Sequence, residues 1–134
     1  MTKINTVFVV DDDPITVFGL KKMLTDIGTA EEIHTFGNGK LALDRILELQ
    51  GQGETLPEVI LLDINMPIMD GWQFLDAFLG LPIQQTIRIN IITSSIDPYD
   101  RQQFLFFKGR THHQLDFRNK PIRRADLEAI TKAA

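Results

Sequence analysis

Hydrophobic positions along the chain fall into two alternating kinds of segment. Short, nearly unbroken apolar runs occur at Val7-Phe8-Val9-Val10, at Val59-Ile60-Leu61-Leu62 and over residues 87–92, the last interrupted by Arg88 and Asn90. Runs of this kind suit strands covered on both faces. Glu32-Ile33-His34-Thr35-Phe36 and Gln114-Leu115-Asp116-Phe117-Arg118-Asn119 instead alternate polar with apolar, as a strand with one partly solvated side does. Helical patterns separate these strands. Asp13-Pro14 offers an N-cap with proline at the first helical position, Ile15, Phe18, Met23, Leu24 and Ile27 form the predicted apolar stripe, and Gly28 ends the helix. Residues 41–49, 71–79, 98–107 and 125–133 are the other predicted helices, and Gly51-Gln52-Gly53 marks the longest exposed connection.

Strand followed by helix, five times over, predicts an α/β fold with a parallel sheet. Three buried strands flanked by two half-polar ones fit the order 2-1-3-4-5, a flavodoxin-like doubly wound sheet in a three-layer (βα)5 sandwich. With 134 residues the chain has the size of one domain, expected to span 1–134. Its 43% hydrophobic and 24% charged residues allow an ordinary core. A net charge of -4 argues against sequence-independent nucleic-acid binding. The absence of cysteine excludes disulfides, thiolate nucleophiles and Cys-ligated zinc or iron-sulfur centres. No apolar run approaches the roughly 20 residues that span a bilayer, so the expectation is a cytoplasmic protein without membrane contact.

In a doubly wound sheet, ligands bind beyond the carboxyl ends of the strands, where the strand order reverses. The first predicted strand ends in Asp11-Asp12-Asp13, the third in Asp63, the fourth in Thr93-Ser94-Ser95 and the fifth in Lys120-Pro121. Because strands one and three are neighbours in the proposed order, Asp11, Asp12 and Asp63 should meet in one pocket. Three carboxylates that close repel one another, and a hard divalent cation such as Mg²⁺ or Mn²⁺ relieves the repulsion. Mg²⁺ takes few protein carboxylates and favours phosphate, so Lys120 and Thr93 are candidates to meet phosphoryl oxygens as an ammonium and a hydroxyl donor. Taken singly, each residue has an ordinary reading: Asp13 is assigned as a helix cap, and a lone Asp or Lys in a loop is commonly a solvated charge. Their coincidence at four strand ends points to phosphoryl-transfer chemistry.

Together with Asp63-Ile64-Asn65-Met66-Pro67-Ile68-Met69-Asp70-Gly71, these residues resemble the receiver domain of two-component response regulators, over essentially the whole chain. The resemblance implies that Asp63 is the phosphoacceptor. It also implies that Asp11, Asp12 and Asp63, with the backbone carbonyl of Asn65, hold Mg²⁺. Thr93 would bond the phosphoryl group, Lys120 would pair with it, and Pro121 would follow in a cis or strained turn. Phe117 takes the aromatic switch position without the hydroxyl of a tyrosine, while Asn65 and Ser95 bear on phosphoryl lifetime. The implied donor is a sensor histidine kinase or histidine phosphotransfer protein. The implied output is a rearranged surface of helix four, strand five and helix five that controls a downstream protein.

Other features depart from that pattern or compete with it. Phe104-Leu105-Phe106-Phe107 is read as a helix end wrapped into the core, with an exposed patch for docking or a homodimer as the alternative. The basic stretch Lys108-Gly109-Arg110-Thr111-His112-His113 is read as a solvated loop. A metal pair at His112-His113 is rejected because adjacent strand residues point to opposite sides. Gly37-Asn38-Gly39-Lys40 lacks the spacing of a phosphate loop and is read as a turn and cap. Trp72, Phe74, Leu75, Phe78 and Leu79 are read as core. Two rival functions remain: an aspartyl-phosphate hydrolase of the haloacid dehalogenase type with Asp11 as nucleophile, and a phosphorylation-inert binding module.

Overall fold

A computed structural model describes residues 3–133. The elements alternate throughout: β1 Ile4–Val10, α1 Pro14–Ile27, β2 Ala30–Phe36, α2 Gly39–Gly51, β3 Val59–Leu62, α3 Gly71–Leu79, β4 Arg88–Thr93, α4 Pro98–Lys108, β5 Gln114–Asn119 and α5 Arg124–Ile130. Every strand pair is parallel, and the order is β2-β1-β3-β4-β5, as predicted. The two strands that alternate polar with apolar are indeed the edges. The buried runs of β1, β3 and β4 occupy the centre, where helices cover both faces.

Strand alternation divides the interior into two cores. Phe8, Ile60, Leu62, Ile89, Ile91 and Leu115 pack toward α2, α3 and α4, whereas Val7, Val9, Val59, Leu61 and Ile92 pack toward α1 and α5. Helix caps follow the sequence signals. The side chain of Asp13 accepts from the Ile15 N–H, Asn38 accepts from the Leu41 N–H, and Asp70 and Gln73 form a capping box on α3. Gly28 adopts φ +70° at the end of α1, the left-handed conformation that glycine takes without a Cβ penalty.

Two predicted details require correction. The stripe on α1 is displaced: Ile15 and Phe18 are 83% and 71% exposed, and the core is instead met by Val17, Leu20, Met23, Leu24 and Ile27. Positions 17, 20, 24 and 27 share one face at 3.6 residues per turn, which 15 and 18 do not. α5 ends earlier than residue 133, at Ile130, because the Thr131 hydroxyl bonds the Leu127 carbonyl and meets the Thr29 hydroxyl, closing the last turn against the β2 side of the sheet.

Candidate functional site

The site is built from the carboxyl ends of β1, β3, β4 and β5. Asp11 follows β1, with its backbone N–H bonded to the Phe36 carbonyl, and Asp63 follows β3, with its N–H on the Val10 carbonyl. Pairing of β1 with β3 thus sets the two carboxylates side by side. Asp12 joins them at the rim. Carboxylate oxygens of Asp11, Asp12 and Asp63 all lie within 4.8 Å of one another, with Asp11 and Asp63 buried and Asp12 exposed.

Lys120 reaches this cluster from β5. Its Nζ lies 3.0 Å from Asp11 Oδ2 and 3.6 Å from Asp63 Oδ2. The Lys120 N–H bonds the Thr93 carbonyl, which ties the β5 end to the β4 end, and the following peptide to Pro121 is cis. Burial pushes the Asp63 carboxyl up to about 6, and the Asp11 charge pushes it the same way against Lys120 and the Ile64 N–H. Burial works against the Lys120 ammonium, but its hydrogen bond to Asp11 and the charges of Asp63 and Asp11 outweigh that and hold its pKa above the usual lysine value. Three carboxylates served by one ammonium leave a net negative pocket. Its all-oxygen donors fit a hard divalent cation.

Thr93 is fully buried, and its Oγ1 accepts the Ser95 N–H at 3.1 Å. Phe117 is half-buried on β5, with its ring 5.5 Å from that of Phe104 on α4 and the Arg101 guanidinium 5.7 Å from its centre. Asn65 is exposed in the loop between β3 and α3. That loop is tightly constrained: a Cβ on Gly71 would collide with the Asp63 carbonyl, so only glycine lets α3 start this close to the acidic cluster. Ile68 in the same loop adopts φ +70°, a strained conformation for a β-branched residue. The structure therefore brings Asp11, Asp12, Asp63 and Lys120 into one pocket. It sets Thr93 on the neighbouring strand end, with its hydroxyl engaged by its own loop, and turns Phe117 against α4.

The weaker signals resolve as follows. Phe104 and Phe107, three residues apart, turn inward, while Leu105 and Phe106 are 59% and 47% exposed, so the aromatic run is part core and part surface. Asn38 is a cap, and the Gly39 N–H bonds the Met69 carbonyl. The expectation that His112 and His113 diverge is wrong: their rings lie 4.0 Å apart, because both precede β5 and strand alternation does not govern them. His113 is buried with Nδ1 accepting the Ile87 N–H at 3.0 Å. The sequence reading missed Asp100, a buried carboxylate in the first turn of α4 that accepts from Trp72 Nε1 at 2.8 Å. The available signal was Trp72 itself, since a buried indole N–H needs an acceptor.

A family model described as the response regulator receiver domain matches residues 7–132. Over 124 residues the chain is 33% identical to the two-component response regulator ORR26 of Oryza sativa subsp. japonica, covering 92% of this chain and 19% of that protein. It is 33% identical over 132 residues to hybrid signal transduction histidine kinase L of Dictyostelium discoideum, covering 94% of this chain and 7% of that protein. The chain thus spans a fifth or less of the length of these curated relatives. A crystal structure of a two component response regulator from Cytophaga hutchinsonii superimposes with a TM-score of 0.79 at 27% identity, covering 96% of this chain and 94% of the other.

Proposed function

The chain belongs to the response regulator receiver domain family of two-component systems, and on that premise we propose that Asp63 accepts a phosphoryl group and that residues 1–134 act as one receiver unit. The observation that carries this reading is the buried Asp63 carboxylate, flanked by Asp11 and Asp12 and 3.6 Å from the Lys120 ammonium. Above about pH 6 that carboxyl is deprotonated and available as a nucleophile.

The donor is a histidine kinase or a histidine phosphotransfer protein. One Asp63 oxygen attacks the phosphorus in line, the bond from phosphorus to the donor's imidazole nitrogen breaks, and its electron pair returns to that nitrogen. Asp11, Asp12, Asp63 and the Asn65 backbone carbonyl would hold Mg²⁺, or Mn²⁺, which when bound neutralises the carboxylates and phosphoryl oxygens. Lys120 stabilises the charge spreading over the equatorial oxygens, and the chain's part is positioning and electrostatics. The Thr93 hydroxyl then donates to a phosphoryl oxygen. Its turn gives Phe117 room to move and shifts the population of the α4, β5 and α5 surface toward the form a downstream protein binds. Leu105 and Phe106, exposed on α4, would serve a partner or a homodimer.

Incubation with Mg²⁺ and acetyl phosphate, followed by intact mass and site mapping, tests the reading. The expected result is one acid-stable, alkali-labile adduct on Asp63 that Asp63→Ala abolishes. An adduct on Asp11 would instead support a hydrolase, and no adduct from acetyl phosphate or from a phosphorylated donor would support an inert binding module.

A further inference from the structure

Behind Thr93 runs a chain of hydrogen bonds that phosphoryl transfer itself does not use. Ser95 is its junction. Its N–H donates to Thr93 Oγ1, its carbonyl accepts from Asn119 Nδ2 at 3.0 Å, and its hydroxyl accepts the Asp97 N–H at 3.2 Å while donating to the Asp100 carboxylate. The other oxygen of Asp100 accepts from Trp72 Nε1. Trp72 stands in the first turn of α3, immediately after the tight approach of Gly71 to Asp63, and its ring stacks on Phe107 at 5.9 Å with an interplanar angle of 10°. The indole therefore holds α4 at both ends, by a hydrogen bond in the first turn and by ring contact in the last.

We infer that Asp100 is a positioning residue that pins the start of α4 to Ser95 and Trp72 and so opposes the phosphorylated arrangement of the site. Both Asp100 and Trp72 are only 8% exposed, so neither bond is readily exchanged for one to water. When the Thr93 side chain swings its Oγ1 toward a phosphoryl oxygen, it either draws the Ser95 N–H along with it or leaves that N–H without its acceptor, and both displace the loop that holds the Ser95–Asp100 bond. The coupling is reciprocal. Whatever Asp100 contributes to the present arrangement and not to the phosphorylated one is subtracted from phosphoryl binding, so its removal should tighten that binding. The inference rests on the phosphoacceptor reading above.

Trp72 is the only tryptophan of the chain, so its emission reports the far end of this path together with the start of α3. The experiment combines acetyl phosphate labelling with titration of beryllofluoride in Mg²⁺, read by Trp72 emission and by calorimetry. Wild-type protein should be labelled on Asp63 and should shift its emission on saturation. Asp100→Ala should keep the labelling and bind beryllofluoride about fivefold more tightly. Should Asp100→Ala fail to fold, Trp72→Phe keeps a ring against Phe107 but deletes the N–H, and calorimetry should show tightening in the same direction. If wild-type protein is neither labelled nor responsive, the phosphoacceptor reading fails and takes this inference with it. If Asp63 is labelled but Trp72 emission stays fixed, or the folded variants bind beryllofluoride with wild-type affinity, the role of Asp100 alone is overturned.

Discussion

The two faces of the sheet are filled by different kinds of side chain. Toward α1 and α5 the buried residues are Ile4, Val7, Val9, Leu20, Leu24, Val59, Leu61, Ile92, Leu127 and Ile130, without an aromatic ring among them. Toward α2, α3 and α4 the core includes Phe8, Trp72, Phe74, Phe78, Phe104 and Phe107. Two buried polar groups stand among the rings, Asp100 on the Trp72 N–H and His113 on the Ile87 N–H beside the Phe78 ring. Asp11 and Asp63 continue the alternation of Val7 and Val9 and of Val59 and Leu61, so they close the aliphatic face, whereas Thr93 follows Ile89 and Ile91 on the aromatic one. An aliphatic wall therefore backs the acidic cluster. The aromatic face joins Thr93, Phe117 and Trp72 to α4, and planar rings with polar partners leave that face fewer interchangeable arrangements.

The strongest way to break this comparison is to remove one large side chain from each face. Phe74 is fully buried with its ring 5.5 Å from that of Phe78, and Phe74→Ala should cost about 3–5 kcal/mol. Leu127→Ala, on the aliphatic face, should cost about 2–5 kcal/mol. Urea unfolding checks both, and the distinguishing expectation is that only Phe74→Ala moves the emission of native Trp72. Equal emission changes from the two would mean that the faces are mechanically one core.

A smaller effect separates the faces by pH. His113 is pushed down to about 4, mainly by burial and further by His112, so the folded protein binds its proton less readily than the unfolded chain. Stability from this source is present above pH 6.5 and is lost as pH falls toward 4, by about 2–3 kcal/mol. Asp63 has the opposite sign. With its pKa raised from 3.8 to about 6, the folded state holds the proton longer, and stability is lost as pH rises from about 4 through 6, by a similar about 2–3 kcal/mol. In chelator, Asp63→Asn should therefore make stability rise more steeply with pH than wild type over this window, and His113→Gln should make it rise less. Urea midpoints at pH 4.5, 5.5 and 6.5 decide it, and parallel curves for both variants would remove the distinction.

Much of this was legible in the chain because period and position carry it. Unbroken runs against alternating ones separated central strands from edges, and that order alone brought Asp11 beside Asp63. Lys120-Pro121 was placed because it follows the last strand pattern. What stayed hidden depends on side-chain direction at sites that the strand and helix periods do not fix. The rings of His112 and His113 converge in a bend, where alternation lapses. Asp100 looks like a surface residue of a polar first turn, and only the three-dimensional approach of α3 to α4 buries it under Trp72.

The mildest prediction tests the aliphatic face from its outer side, at the helix where the expected stripe proved displaced. Ile15 and Phe18 look like core by hydrophobicity, yet both stand mostly in solvent, while Leu20 and Leu24 are 4% and 1% exposed. Substitution of an exposed side chain removes little burial, so Ile15→Ser and Phe18→Ser should each change unfolding free energy by no more than about 0.5 kcal/mol. Leu24→Ala on the same helix should cost about 2–5 kcal/mol. Because the same residue class gives a large effect at one angle of the helix and almost none at another, chemical denaturation of these three variants measures the rotation of α1 against the sheet. A costly Phe18→Ser beside a tolerated Leu24→Ala would rotate the helix back to the stripe drawn from hydrophobicity alone and bury two side chains that now face solvent.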